Sequence, residues 1–259
     1  MSKTVLFLGC GNMGEAVLKA FLKQKNSSIY IQEKIKERLI DLQKKYQIHD
    51  FKEIKDQIDI LVLAIKPQQL TKINFSKFSL KKDSIILSML AGTSISEIQE
   101  NTKISKVIRI MPNLPLQEKE GLTSFFQQQL TLNEKQFFTE IFSKSGKILE
   151  LKTEEDMHAA TVFAGSGPGV FYYFCELWQD LAKTYGFSEK EAFILIQQMF
   201  IGSAALMKNS TDSFAELKNK VCSKGGITEK MINNFQEENL KKLFKQVIKN
   251  GINKSRKIS

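Results

Sequence analysis

Three glycines near the start of the chain have a spacing that is typical of nucleotide binding. Gly9, Gly11 and Gly14 form the pattern Gly-x-Gly-x-x-Gly, directly after the apolar run 4–8 and ahead of a helix-like pattern. In this setting the first glycine permits a sharp turn, the second leaves room for a pyrophosphate, and the third lets the helix pack against the strand. The spacing therefore predicts a dinucleotide site, with a ligand-free glycine turn as the alternative.

An acidic residue follows the second predicted strand, where such a site would meet the adenosine ribose. Glu33 lies about 20 residues beyond the glycines, and an acid at this position accepts from the 2′-hydroxyl of NAD. Lys34, Lys36 and Arg38 come next and favour the 2′-phosphate of NADP instead. Glu33 and Lys34 are thus candidate cofactor-binding residues, but NADH and NADPH both stay open. A solvated helix face is the alternative.

These residues must be positioned by the elements around them, and the first part of the chain predicts a parallel sheet. Continuous apolar runs cover 59–65, 84–88 and 106–110, and further strands are expected at 29–31, 121–126 and 147–151, with a helix over 133–143. Strands that alternate with helices indicate a doubly wound, mostly parallel α/β sheet, so we assign residues 1–152 to a Rossmann domain. Ligands should bind at the carboxyl ends of its strands.

Beyond residue 152 the pattern is helical to the end, which predicts an all-helical domain over 153–259. Helices are expected at 154–163, 167–185, 188–209, 213–220, 228–235 and 238–249, and the polar residues 253–259 are expected to fray. The segment 167–209 is apolar on more than one side, and about a hundred residues can hardly cover such helices alone. We therefore expect a subunit interface here, with a simple buried core as the alternative.

Composition narrows the classes of function. The 259 residues are 42% hydrophobic and 25% charged, which is typical of a globular protein. Cys10, Cys175 and Cys222 show no Cys-x-x-Cys spacing, so we expect neither a disulfide framework nor a metal site and assign a reducing cytoplasm. We expect no signal peptide and no membrane span. The net charge of +10 would suit nucleic acid, but the lysines are spread over the whole chain, so we expect no nucleic-acid partner.

Taken together, the loops resemble those of pyrroline-5-carboxylate reductases, in order and with similar spacing over nearly the whole chain. The motifs that carry the resemblance are Gly9-Cys10-Gly11-Asn12-Met13-Gly14, Ala64-Ile65-Lys66-Pro67-Gln68, Arg109-Ile110-Met111-Pro112-Asn113-Leu114-Pro115, Gly165-Ser166-Gly167-Pro168 and Cys222-Ser223-Lys224-Gly225-Gly226-Ile227-Thr228. The resemblance implies reduction of 1-pyrroline-5-carboxylate to L-proline by NADPH or NADH, the last step of proline biosynthesis. It also implies a helical second domain that forms a homodimer, often assembled further into decamers.

The same resemblance implies a role for each matching position. The pyrophosphate would be held by Gly9, Gly11, Asn12, Met13 and Gly14. The cofactor would be bordered by Ala64, Lys66 and Pro67, and its nicotinamide by Ala91 and Gly92. The substrate would be surrounded by Glu154, Ser223, Gly225, Gly226 and Thr228, with Ser223 and Thr228 as the catalytic candidates.

Physical reasoning supports an anion site at the last motif. The residues Ser223 to Gly226 precede a predicted helix, whose first N–H groups and dipole favour a carboxylate, and the Thr228 hydroxyl could bond an imine nitrogen. Helix capping by Ser223 and Thr228 is the alternative. The motif departs from the usual Ser-Pro-Gly-Gly-Thr-Thr at Lys224 and Ile227, and loss of the proline loosens the turn.

Further departures are Ala164 and Gly169-Val170 around the Gly-Ser-Gly-Pro motif, and His158 in place of the usual aspartate. We interpret His158 as a hydrogen-bonded side chain of a helix; a catalytic role is the alternative. Two other functions stay open. One is a related imine or 3-hydroxy-acid reductase of the same architecture, although the glycine-rich helix with a lysine that 3-hydroxy-acid enzymes use is missing. The other is a nucleotide-binding paralogue with little turnover.

Overall fold

Eight strands form one sheet in the computed structural model, which describes residues 3–24 and 27–258. Apolar, β-branched runs explain the central strands, because both of their faces are covered. The strands are β1 (Lys3–Leu8), β2 (Ser27–Gln32), β3 (His49–Asp50), β4 (Ile58–Leu63), β5 (Leu80–Ser88), β6 (Lys106–Met111), β7 (Gly121–Gln128) and β8 (Gly146–Glu150).

The strand order is β3-β2-β1-β4-β5-β6-β7-β8, so the direction of winding changes between β1 and β4. These two strands pair in parallel, with Val5 opposite Ile60. Among the described strands, only β6 and β7 pair antiparallel, with Arg109 opposite Phe126. The predicted doubly wound, mostly parallel sheet is therefore confirmed. The carboxyl ends of β1, β4, β5 and β6 lie at one edge, next to the change of winding, where open α/β sheets bind ligands.

Ten α-helices complete the described part of the chain, together with short 3-10 turns. Four of them belong to the sheet region and are α1 (Asn12–Leu22), α2 (Lys36–Lys45), α3 (Ile95–Thr102) and α4 (Leu132–Ser143). The later ones are α5 (Asp156–Ala160), α6 (Gly167–Thr184), α7 (Glu189–Lys208), α8 (Phe214–Val221), α9 (Ile227–Glu237) and α10 (Leu240–Arg256). The predicted helical second region is confirmed.

The chain divides into two compact units, the first built from the described residues of 1–168 and 251–259, the second from 169–250. In the first unit, both faces of the sheet are packed with apolar side chains. Phe21 of α1 is fully buried, and its ring meets those of Phe7, Phe138 and Phe142 edge to face. Such aromatic contacts add stability beyond the burial of area.

The second unit is different, because its helices bury almost nothing. Among its described residues the buried ones are Ala192 and Ile196. Ring contacts exist, such as the stacked pair Phe174 and Phe244 with centroids 5.8 Å apart. Large apolar side chains are nevertheless exposed on every helix of the unit, including Tyr172, Leu181, Ile201, Leu206, Phe214, Phe235 and Leu243. A face of this kind is typical of a protein interface.

Two local expectations were wrong. The residues 253–258 do not fray: α10 continues to Arg256, Ser255 is buried, and its Oγ lies 3.0 Å from Nδ1 of His158. (Ser259 lies outside the described residues.) The helix expected over 154–163 begins only at Asp156 and changes after Ala160 into a π-type turn, where the Ser166 N–H donates to the Thr161 carbonyl. π-Turns of this kind are short interruptions of α-helices.

Candidate functional site

The glycine-rich loop joins β1 to α1 through a turn that accepts no larger residue at its first position. Gly9 has a φ of +79°, and a Cβ placed there would lie 2.8 Å from the carbonyl oxygen of Ala64. Its N–H donates to the Gln32 carbonyl at 2.9 Å, which ties the loop to the end of β2. The turn is therefore fixed by β2 and β4, the neighbours of β1 on either side.

The next two glycines behave as the spacing predicts. A Cβ at Gly11 would meet nothing within 4 Å, so the backbone there borders open space. A Cβ at Gly14 would lie 3.3 Å from that of Ala64, which explains the close packing of α1 on the sheet. Gly11 is also the N-cap of α1 and provides no side chain to bond its first N–H groups. Open backbone beside a helix N-terminus fits a pyrophosphate, so the loop fits a dinucleotide.

Glu33 follows β2 and closes the loop from the side. Its Oε2 accepts a hydrogen bond from the Cys10 N–H at 2.9 Å, and its Oε1 accepts from the N–H groups of Lys34 and Ile35 at 2.8 and 3.2 Å. The carboxylate is thus fixed by three backbone donors between the glycine loop and the start of α2. Lys34 is exposed at the same corner.

Arg38 of α2 supports the loop from behind. Its Nε donates to the Cys10 carbonyl at 3.2 Å, and its guanidinium also pairs with Glu15 of α1. The hydroxyl of Tyr46 donates to the other oxygen of Glu15 at 2.7 Å. Burial raises the pKa of Glu15, but the hydrogen bonds from Tyr46 and Arg38 outweigh it and leave that pKa below its usual value of 4.5. Burial and the bond to Glu15 raise the pKa of Tyr46 to about 12.

Two further loops follow parallel strands at the same edge of the sheet. Ala64 and Lys66 follow β4, and Pro67 opens a 3-10 turn whose capping bond runs from the Lys66 N–H to Gln69. Ala91 and Gly92 follow β5, and Gly92 has a φ of +76°, a conformation that side chains disfavour. The structure thus brings the cofactor-binding candidates of the sequence together at one edge within the first unit.

Glu154, a candidate for substrate binding, is partly exposed and forms an ion pair with a buried arginine in the first unit. Its Oε1 accepts from the guanidinium of Arg109 at 2.6 Å and from the Ile95 N–H, at the start of α3, at 2.7 Å. Arg109 is 3% exposed, and its Nε has no partner among the described residues. The sequence motif contains Arg109, but the contact between Arg109 and Glu154 was not predicted. The available signal was a charged residue flanked on both sides by apolar residues within strand β6.

The residues Ser223, Gly225 and Gly226 form one tight turn ahead of α9, in the second unit. Gly225 has a φ of +72°, and the Gly226 N–H donates to the Ser223 carbonyl at 2.9 Å. A Cβ at Gly226 would lie 2.4 Å from Ser223 Oγ, so only glycine fits. Gly226 is the N-cap of α9 and makes no side-chain capping bond. Thr228 is the second residue of the helix and is partly exposed.

A second donor of this turn is also occupied by the chain itself. Glu229 accepts a hydrogen bond from the Gly225 N–H at 2.7 Å, so a carboxylate of the protein lies where the sequence predicted an external anion. Lys224 is exposed. The interpretation of His158 as a hydrogen-bonded side chain is confirmed by its contact with Ser255.

Other kinds of site receive no support from the described residues. None of them form a group of three or more His, Cys, Asp or Glu side chains that could hold a metal ion. Within 3–24 and 27–258, no helix combines the length and the hydropathy that crossing a membrane requires. Cys10 is a residue of the glycine loop, and burial of its side chain raises the pKa of the thiol to about 12.

Comparison with known proteins yields two family models that match separate parts of the chain. Residues 4–92 match one described as NADP oxidoreductase, coenzyme F420-dependent, and residues 154–258 match one described as pyrroline-5-carboxylate reductase dimerisation. The pyrroline-5-carboxylate reductase of Pasteurella multocida is 28% identical, over 99% of this chain and 98% of its own. The enzyme of Escherichia coli is 27% identical, over 100% and 99%.

Solved structures share the fold. A pyrroline-5-carboxylate reductase from Coxiella burnetii superposes with a TM-score of 0.87 at 23% identity, covering 100% of this chain and 99% of the other. The Plasmodium falciparum enzyme, solved with NADP bound, gives 0.79 at 24% identity, covering 99% and 98%. At this level of identity the solved structures establish only the architecture. The evidence for the family comes from the sequence relatives and the family models.

Proposed function

The chain belongs to the pyrroline-5-carboxylate reductase family, and from this premise we propose that it reduces 1-pyrroline-5-carboxylate to L-proline, the last step of proline biosynthesis. The observation that carries the proposal is the alignment with reductases over 99% of the chain, which includes both the glycine loop and the Ser223–Thr228 turn. The chain is accordingly an NAD(P)H-dependent oxidoreductase that acts on a cyclic imine.

The first unit would bind the cofactor, which supplies a hydride when bound. The open backbone at Gly11 and the uncapped start of α1 support a pyrophosphate site. Glu33 and Lys34 would contact the adenosine ribose. The remaining proposed contacts are Gly9, Asn12, Met13 and Gly14 at the pyrophosphate, Ala64, Lys66 and Pro67 beside the cofactor, and Ala91 and Gly92 near the nicotinamide. Positioning of reactants in this way supplies up to about 7–11 kcal/mol of a barrier.

The turn ahead of α9 would bind the substrate carboxylate. The start of α9, which has no side-chain capping bond, and the dipole of that helix favour an anion. Because Glu229 already accepts from the Gly225 N–H, the substrate carboxylate has to replace the Glu229 carboxylate at that donor. Ser223 would hold the turn in place, and the Thr228 hydroxyl would bond the imine nitrogen and help to deliver its proton. Glu154 would border the substrate while Arg109 and the Ile95 N–H hold its Oε1.

The second unit would serve assembly as well as substrate binding. The dimerisation model and the exposed apolar helices both support a homo-oligomer. We also propose that dimers assemble into a decamer and that the functional boundary lies between 1–152 and 153–259. We further propose a cytoplasmic location, without nucleic-acid or membrane partners. Light scattering of the purified protein distinguishes a dimer from a decamer.

The test of the activity is oxidation of NADH or NADPH in the presence of 1-pyrroline-5-carboxylate, with L-proline identified as the product. Thr228→Ala should lower kcat about 10²-fold or more, as expected when a proton-delivering group is lost, while the Kd of the cofactor changes less than about twofold. Thr228→Ser keeps the hydroxyl and should retain most of the activity. Thr211→Ala, at an exposed threonine of the same unit, is the matched control.

Two results would contradict this assignment. Tight cofactor binding without proline formation would indicate a nucleotide-binding relative that does not turn this substrate over. Equal losses of kcat and of cofactor affinity in Thr228→Ala would contradict the role of its hydroxyl at the imine.

A further inference from the structure

We propose that the chain prefers NADH to NADPH and that the fixed carboxylate of Glu33 sets this preference. The inference rests on the proposed cofactor site and goes beyond it, because the family models and the relatives do not decide between the two dinucleotides. Glu33 lies directly after β2 and against the glycine loop.

The three hydrogen bonds to Glu33 leave its carboxylate little freedom to move. Two come from the backbone of Lys34 and Ile35, at the start of the α2 region, and one comes from Cys10, in the glycine loop itself. The Gln32 carbonyl, one residue earlier, accepts from the Gly9 N–H, which fixes the backbone at the same point. A negative charge is therefore held beside the loop that would bind the pyrophosphate.

This charge distinguishes the two cofactors by simple electrostatics. A carboxylate at the end of the second strand can accept a hydrogen bond from the 2′-hydroxyl of the NADH ribose. NADPH replaces that hydroxyl with a phosphate, whose negative charge would be repelled by Glu33. Because three backbone donors hold Glu33, moving it away would break three hydrogen bonds at once.

The arginine that could offset this repulsion is already occupied. The guanidinium of Arg38 donates to the Cys10 carbonyl and pairs with both Glu15 and Asp41. To reach a 2′-phosphate it would have to leave these acceptors, and Glu15 would lose its ion-pair partner. Among the described residues 34–38, which follow Glu33, the exposed cationic side chains are Lys34 and Lys36. Exposed ammonium groups on flexible side chains attract a phosphate weakly in salt.

The experiment measures the Kd of NADH and of NADPH separately, by the fluorescence of the reduced nicotinamide, without substrate. We expect the wild-type protein to bind NADH at least about 10-fold more tightly than NADPH, and the ratio to shrink as ionic strength rises. Glu33→Gln removes the charge but keeps an acceptor oxygen, and should shift the ratio towards NADPH by at least about 10-fold. Glu33→Asp keeps the charge and should keep the preference for NADH.

Glu37→Gln is the matched control, because it removes the same charge from an exposed position in the first turn of α2. It should leave the ratio unchanged, and an equal shift in this variant would overturn the role of Glu33. Tighter or equal binding of NADPH by the wild-type protein would overturn the preference while leaving the proposed function intact. If neither dinucleotide bound, both the proposed function and this inference would be contradicted.

Discussion

The two units of the chain use apolar residues in opposite ways. In the first unit, the large apolar side chains on both faces of the sheet are covered, and three phenylalanine rings pack around that of Phe21. In the second, helices as long as α7 leave residues such as Ile201 and Leu206 exposed and bury only Ala192 and Ile196 among those described. The first unit is thus stabilised by its own contacts, whereas the second depends on apolar surface that another subunit must cover.

A change of the assembly state is expected from a charge on the exposed face of α7. Ile201→Lys should weaken self-association at least about 100-fold, because an unpaired ammonium group would be buried in the interface. Cofactor binding by the first unit should persist, which would show that the two units have separate roles. Sedimentation velocity gives the dissociation constant, and Ile201→Leu is the control that keeps the apolar side chain. Unchanged association of the lysine variant would show that this face is not covered.

A matching change in the first unit should affect folding rather than assembly. Phe21→Ala removes a fully buried ring and should lower the free energy of unfolding by about 3–5 kcal/mol. Urea unfolding followed by circular dichroism measures the loss, which should not depend on protein concentration. Phe235→Ala, at an exposed ring of α9, should leave the urea unfolding of the first unit nearly unchanged. Similar losses in both variants would contradict the contrast between the units.

The ion pair between Arg109 and Glu154 tests how far the first unit depends on a polar contact. Glu154→Gln leaves the buried guanidinium without its countercharge and should cost about 3 kcal/mol of unfolding free energy. The double variant Arg109→Met with Glu154→Gln removes that charge and should recover part of the loss. Denaturant midpoints of the single and double variants measure the coupling, and strictly additive losses would argue against it.

The smallest effect is expected at Glu15, behind the glycine loop. Its pKa is lower in the folded protein than the usual 4.5, so its contribution to stability is present above that value and is lost as the pH falls through the folded pKa. Glu15→Gln should therefore cost about 1 kcal/mol at neutral pH and nearly nothing in acid. Urea midpoints from pH 7 down to the acid limit of folding measure this, with Glu37→Gln as the control. A penalty that persists in acid would refute the linkage.

Most of the architecture could be predicted from sequence because its signals are local. The apolar run 59–65 predicts β4, and the capping box of Ser188 and Glu191 correctly marks the start of α7. Strand β3 has only two residues and no periodicity, and the π-type turn at Thr161–Gly165 depends on backbone bonding that no residue pattern encodes. The expected fraying of 253–258 was wrong because polarity alone does not reveal a buried contact such as that of Ser255.

The candidate site was predictable to a similar degree. The glycine spacing predicted the loop, because the close approach of Gly9 and Gly14 to Ala64 follows from strand–turn–helix geometry. The bonds from Cys10 to Glu33 and from Arg109 to Glu154 join residues 23 and 45 positions apart, and only the folded sheet brings them together. The bond from Gly225 to Glu229 is local, but its effect on anion binding becomes clear only from the geometry of the turn.

The three cysteines differ in a way that has a practical consequence. Burial raises the pKa of the Cys10 thiol to about 12, so at neutral pH it is almost never the reactive thiolate. Cys175 and Cys222, both partly exposed, lie in the second unit, and burial raises the pKa of the Cys175 thiol as well. Alkylating reagents should thus react first at Cys222 of the helical unit and spare the nucleotide loop, which gives the native sequence its own attachment point for a spectroscopic label.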